Sequence, residues 1–271
     1  MVSTQVEFYQ GVKGALFRLT RTPEHTLAHL LFIAPLFEQA NQTRHHITRS
    51  AISAYHQGFQ SIVFDHYGTG DSAGELDDTN LAIWQQDIVK QLIELKNHSE
   101  KPIYLSLPLS AVLLLSDEII KQVDGLMLLQ PDFNGKRFVQ QFKRLALAAQ
   151  LTKKSKVKGS DMIEKQVKSV EVAGYLMQSS LLDELAEQSL NKLVDFTSNC
   201  YWFEWKNASE ELNPGRIKQQ ELLANKNNKL VIQATDDVKF WQATELQIAQ
   251  SFLAQEQLVF TQLLSSNKEL N

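Results

Sequence analysis

The segment 102–116, Pro-Ile-Tyr-Leu-Ser-Leu-Pro-Leu-Ser-Ala-Val-Leu-Leu-Leu-Ser, constrains this chain more than any other. Ile103, Tyr104 and Leu105 read as a strand buried on both faces, and the apolar run beyond Ser110 predicts a buried helix reaching about residue 120. A buried strand that turns sharply into a helix exposes one residue at its apex, and hydrolytic sites place a nucleophile there between small neighbours. The frame Ser106-Leu107-Pro108-Leu109-Ser110 has the small neighbours but centres on Pro108. Proline has no hydroxyl or thiol with which to attack a carbonyl.

Strand and helix patterns alternate on either side of this segment. Val6–Tyr9 and Ala15–Thr20 read as edge strands, and Leu27–Ala34, Ser61–Phe64 and Val123–Leu129 as central ones. Helices are predicted at Thr43–Gln57, closed by Gly58, and at Thr79–Lys96, where Leu81, Trp84, Ile88 and Leu92 recur at helical spacing. From Asn134 the pattern changes. A helix around Phe138–Leu151, a lysine-rich loop at Lys153–Lys158, a short helix at Asp161–Lys168, an extended piece at Val170–Met177 and a helix at Leu181–Leu190 read as an insertion. Strands at Asn199–Trp205 and Lys229–Ala234 and a helix at Glu245–Leu264 follow. The expected division is a core of residues 1–133 and 191–271 with a cap at 134–190. Alternating elements predict a mostly parallel sheet with helices on both faces, whose ligands gather at the carboxyl ends of the strands. The loops 35–42, 65–74, 106–110, 130–135 and 235–242 lie there.

With 271 residues, 43% of them hydrophobic, the chain can bury one sizeable core. A net charge of -4 and no basic run beyond Lys153–Lys158 argue against nucleic-acid binding. The single cysteine, Cys200, sits in an apolar run and reads as a small buried hydrophobe. No apolar run approaches the ~20 residues of a membrane span, and the opening residues lack a charged-then-apolar leader, so a cytoplasmic protein is expected. No His/Cys spacing or carboxylate loop suits a metal, and no cofactor is expected.

The loop Asp65-His66-Tyr67-Gly68-Thr69-Gly70-Asp71-Ser72-Ala73-Gly74 resembles the D-x-x-G-x-G-x-S-x-G loop of the α/β-hydrolase superfamily. Further pieces resemble the second type of exosortase A system-associated hydrolases, bacterial proteins encoded beside exopolysaccharide and protein-sorting genes. They are Ala34-Pro35-Leu36-Phe37-Glu38, the helix carrying Trp84, the turn Ser106–Ser110, Gln130-Pro131 with Asn134-Gly135, Phe142–Ala149, Val170–Tyr175, Trp202-Phe203-Glu204 and Phe240-Trp241 with Glu245. The resemblance implies the α/β-hydrolase fold: an eight-stranded, mostly parallel sheet under a helical cap insertion.

Acyl transfer in that fold needs a nucleophile, then an acid, then a histidine, in chain order. All seven histidines precede the Pro108 turn, and the segment after the last strand reads Thr235-Asp236-Asp237-Val238-Lys239-Phe240-Trp241. Ser106, Ser110 and His66 are the remaining catalytic candidates. The expected pocket comprises Phe37, Glu38, His66, Leu107, Pro108, Leu109, Asn134, Asp236 and Trp241. Trp241 is expected to line the space a histidine would fill and to stack on a sugar or an apolar chain. Glu204, if it faces inward, needs a partner. The leading expectation is a non-catalytic protein binding an unidentified small molecule or protein partner. An esterase or thioesterase using a displaced Ser–His66 pair is the alternative. A docking module built on residues 134–190 is a third.

Overall fold

The computed structural model describes residues 3–152, 169–207, 209–243 and 245–266. The lysine-rich loop at Lys153–Lys158 and the short helix at Asp161–Lys168 lie outside them. Ten strands and seven α-helices follow one another among the described residues as β1 (Ser3–Gln10), β2 (Ala15–Thr22), β3 (Ala28–Phe32), α1 (Glu38–His56), β4 (Phe59–Phe64), α2 (Leu81–His98), β5 (Ile103–Pro108), α3 (Asp117–Ile120), β6 (Gly125–Leu129), α4 (Gly135–Thr152), β7 (Ser169–Val172), β8 (Tyr175–Gln178), α5 (Ser179–Ala186), β9 (Asn199–Trp205), α6 (Pro214–Ala224), β10 (Leu230–Thr235) and α7 (Gln250–Ser266).

Eight strands form one sheet in the order β1-β2-β4-β3-β5-β6-β9-β10. From β4 to β10 the pairings are parallel, while β1–β2 and β2–β4 are antiparallel. The central strands β3, β5 and β6 are buried along their whole length, which explains their unbroken apolar sequences. Alternate side chains feed two cores. Leu31, Leu105, Leu128 and Trp202 pack with Trp84, Ile88 and Leu92 of α2. Phe32, Tyr104, Met127 and Phe203 pack with Ala51 of α1 and Phe252 and Phe260 of α7.

Several elements depart from the sequence-based expectation. Helix α1 starts at Glu38, so most of 35–42 is helix rather than loop. The apolar run after β5 forms a six-residue 3-10 turn, Leu109–Leu114, before the short α3. All six of its residues are buried, so no polar face exists from which a helical period can be read. Helix α6, between β9 and β10, was not anticipated. Helix α7 begins at Gln250 rather than Glu245.

The segment between β6 and β9 combines α4 and α5 with an antiparallel hairpin, β7–β8, so it is not purely helical. Ala173 (φ 53°) and Gly174 (φ 86°) form the hairpin's two-residue turn with positive φ at both centres. Phe138, Val139, Met177, Leu181 and Leu185 from this segment join the core on the α2 side. The N–H of Gly135, which opens α4, donates to Gln188 O at 3.1 Å. A Cβ at Gly135 would overlap the carbonyl oxygen of Leu185, a backbone atom that cannot swing aside. Gly135→Ala is therefore expected to cost roughly 2–3 kcal/mol, the upper range for overpacking. Limited proteolysis should show cleavage between residues 134 and 190 first; wild-type resistance there would refute the account.

Candidate functional site

Strained backbone collects at the carboxyl ends of three neighbouring strands. Phe37 (φ 55°) follows β3, Leu109 (φ 51°) follows β5 and Gln130 (φ 45°) follows β6. Non-glycine residues are held in this region only where their surroundings over-determine them, typically at binding or catalytic sites. The apex of the turn after β5 is Leu109. Pro108 is the last residue of the strand, at φ −76° and ψ 139°. The expectation that Pro108 occupies the centre is corrected by one residue, and proline's ring explains why, because it holds φ near −65°. Leucine offers no nucleophile either.

In a hydrolytic turn of this kind, the N–H after the apex helps hold the developing oxyanion. That residue is Ser110, and its N–H donates to Gln39 Oε1 at 3.2 Å. The Ser110 hydroxyl accepts from Leu36 N–H at 2.9 Å. Ser110 and Ser106 are 0% and 2% exposed. His66 is buried beside Phe64 and Trp84, and its Nε2 lies 3.2 Å from Ala34 O. A carbonyl only accepts, so Nε2 carries the proton, and Nδ1 is buried without a partner among the described residues. Burial pushes the imidazole down to about 4, the Ala34 bond opposing it. No hydrogen bond joins His66 to either serine among the described residues.

The segment after β10 has structural duties. Asp237 accepts from Val238 N–H at 2.7 Å and from Phe252 N–H, near the start of α7, at 3.0 Å. Phe240 stacks on His46 of α1. Cys200 is buried, and burial pushes its thiol up to about 12, as suits an inert core residue.

Two cavities open at this edge, with no lining residue in common. The smaller, about 380 Å³, lies at the turn: Leu109 and Trp241 meet Gln39, Gln130, Asn134 and Gln219 there. Its arginines are both paired. Arg137 Nη2 reaches Asp132 Oδ1 at 2.7 Å. Arg216 Nε reaches Glu204 at 3.0 and 2.8 Å, while Nη1 donates to Pro131 O at 2.6 Å. Glu204 also accepts from Trp202 Nε1 at 2.7 Å, so the inward carboxylate has the partner it requires. The larger cavity, about 820 Å³, lies between α1, β2 and the hairpin turn.

The residues expected to share one pocket are divided. Leu109, Asn134 and Trp241 line the smaller cavity, and Phe37 and His66 the larger. Glu38, Leu107, Pro108 and Asp236 line neither. Glu38 accepts from the Tyr175 hydroxyl at 3.4 Å, Leu107 and Pro108 are buried in β5, and Asp236 is exposed. Gln39, Gln130, Asp132, Arg137 and Arg216 were missed. The signal for Arg216 lay in Asn213-Pro214, an N-cap followed by a first-turn proline, which starts a helix and presents the arginine.

No family model and no curated protein matches the sequence. Solved structures do match in fold. Est1E from Butyrivibrio proteoclasticus, in a structure with ferulic acid bound, aligns with a TM-score of 0.63 at 13% identity, covering 96% of this chain and 98% of its own. A thermostable carboxyl esterase from Bacillus coagulans aligns at 0.61 and 11% identity, covering 99% of both chains. Mouse alpha/beta hydrolase domain-containing protein 10 aligns at 0.55 and 14% identity, covering 98% and 100%. With strand order, parallel pairing and the strained turn after β5, these likenesses establish that the chain has the α/β-hydrolase fold.

Proposed function

We propose that this protein binds a small polar molecule at the turn after β5 without hydrolysing it. One observation carries the reading: the apex is Leu109, and the N–H behind it is already bonded to Gln39. A reacting carbonyl there meets neither a nucleophile nor a free donor at that amide. The lining supports a neutral, hydroxyl-bearing ligand of sugar size. Its charges are neutralised pairwise, and the side-chain oxygens of Gln39, Gln130 and Asn134 are held by the N–H groups of Ser110, Trp205 and Arg137, which turns their NH2 groups, with the amide of Gln219, to a ligand's hydroxyl oxygens. Trp241 supplies an aromatic wall. In this reading the 134–190 segment is a cap over the sheet, and the protein is a cytoplasmic member of the exosortase A system-associated group serving exopolysaccharide or sorting functions. No helix of the described residues is long and apolar enough to cross a membrane.

The alternative, a displaced Ser–His66 esterase or thioesterase, is disfavoured because His66 Nδ1, the nitrogen free to act as a base, has no hydrogen bond to Ser106 or Ser110 among the described residues, and both serines are buried. Wild-type protein is expected to leave nitrophenyl acetate and butyrate unhydrolysed above the buffer rate and to resist a fluorophosphonate probe. Leu109→Ser is expected to stay inactive too, because it gains a hydroxyl but no base. Labelling of Ser106 or Ser110 would overturn the proposal.

A further inference from the structure

The larger cavity points to a second ligand of different character. Strands β1 and β2 extend the sheet past α1, and Phe17, Leu19 and Arg21 of β2 face the α1 side. Phe17 and Leu19 are only partly buried, and with Ile47 of α1 and Val63 of β4 they wall an apolar groove. Its upper end reaches Phe37, Trp84 and Leu176 beneath the hairpin turn. From Phe17 to Arg21 along β2, or from Ala40 to Thr48 along α1, the groove runs roughly 12–13 Å.

Arg21 stands at the far end. It has no carboxylate within ion-pair distance among the described residues, and its Nη1 is buried without a hydrogen-bond partner. A guanidinium cannot shed its proton to escape this cost, as a lysine or histidine can. The other groove arginine, Arg44, is held by Asp65 at 3.4 Å. Glu75 and Asp77 lie at the hairpin end, so an anion is favoured at Arg21 and disfavoured opposite.

We propose that this groove binds one long-chain carboxylate, its head on Arg21 and its chain running past Leu19, Phe17 and Val63 toward the hairpin turn. The site is independent of the turn cavity, and holds whether or not that cavity binds a sugar. The probe is a dansylated fatty carboxylate, displaced in turn by dodecanoate and by dodecanol, which differ only in the head. Dodecanoate is expected to displace it at roughly tenfold lower concentration than dodecanol, the scale of one charge-assisted hydrogen bond. Arg21→Gln should bring the two together. Thr48→Trp, on the exposed face of α1 at the groove wall, should weaken both without disturbing the core. Equal displacement by acid and alcohol in the wild type, no displacement, or binding untouched by Thr48→Trp would each overturn the assignment.

Discussion

Arg216→Met is expected to lower the stability of this protein by roughly 3–5 kcal/mol, the scale of leaving a buried charge without its partner. Arg216 of α6 and Glu204 of β9 are 8% and 3% exposed. The guanidinium lies over the Trp202 ring at 4.8 Å while it bonds Glu204 and Pro131 O. Without it, Glu204 keeps Trp202 Nε1 at 2.7 Å and Gln220 Nε2 at 3.5 Å, two neutral donors against a full charge. Removing both charges is a different matter, since a buried pair often does no better than neutral groups of similar size. Glu204→Gln/Arg216→Met should therefore recover most of the loss, giving a large coupling energy in a double-mutant cycle. Urea unfolding of the wild type, both single variants and the double variant measures it. A loss below about 1 kcal/mol for Arg216→Met, the scale of an exposed pair, would refute the account. So would a double variant no better than the single.

This pair also marks the limit of what the sequence disclosed. Strand β9 was legible to its ends, because Asn199–Trp205 is an apolar run and Glu204 inside it demanded a partner. The partner was hidden in Asn213-Pro214-Gly215-Arg216, whose proline and glycine resemble a turn as closely as a helix start. The turn after β5 was legible as a turn but misframed: two serines four apart framed Pro108, although a proline cannot adopt positive φ. The buried central strands declared themselves as unbroken apolar runs, and helix α2 through its helical spacing of apolar residues. The start of α1 did not, because Phe37 precedes it with no side-chain cap. Separating the expected pocket into two cavities depends on how α1 and the hairpin turn stand above the sheet. Those are long-range contacts that no local pattern encodes.

The same is true of the charge with the largest expected effect of pH. Glu256 of α7 is 0% exposed and forms no ion pair among the described residues. Burial pushes its pKa up to about 8 from an ordinary value of 4.5, with Ser50 of α1 pulling weakly the other way. Below the ordinary value both the folded and unfolded chains hold this proton, so folding is not penalised. As pH rises from there toward 8, the unfolded chain releases the proton and the folded chain keeps it. Stability then falls by about 1.4 kcal/mol per pH unit, on the order of a few kcal/mol in all. Glu256→Gln keeps the shape and removes the titration. It is expected to match the wild type near pH 4 and to exceed it by a few kcal/mol at pH 8. The acid limb belongs to other groups. His46 Nε2 accepts from Ala249 N–H at 2.9 Å, and burial holds its pKa at about 4, as it does for His66. Both stabilise the fold above their ordinary value of 6.5 and lose that contribution as pH falls toward 4. Glu256→Gln leaves this limb untouched, so urea midpoints of the two proteins should converge at acid pH and part steadily above pH 5. Parallel curves across that range would mean that Glu256 is ionised in the folded protein, with a compensating partner in the α1–α7 contact.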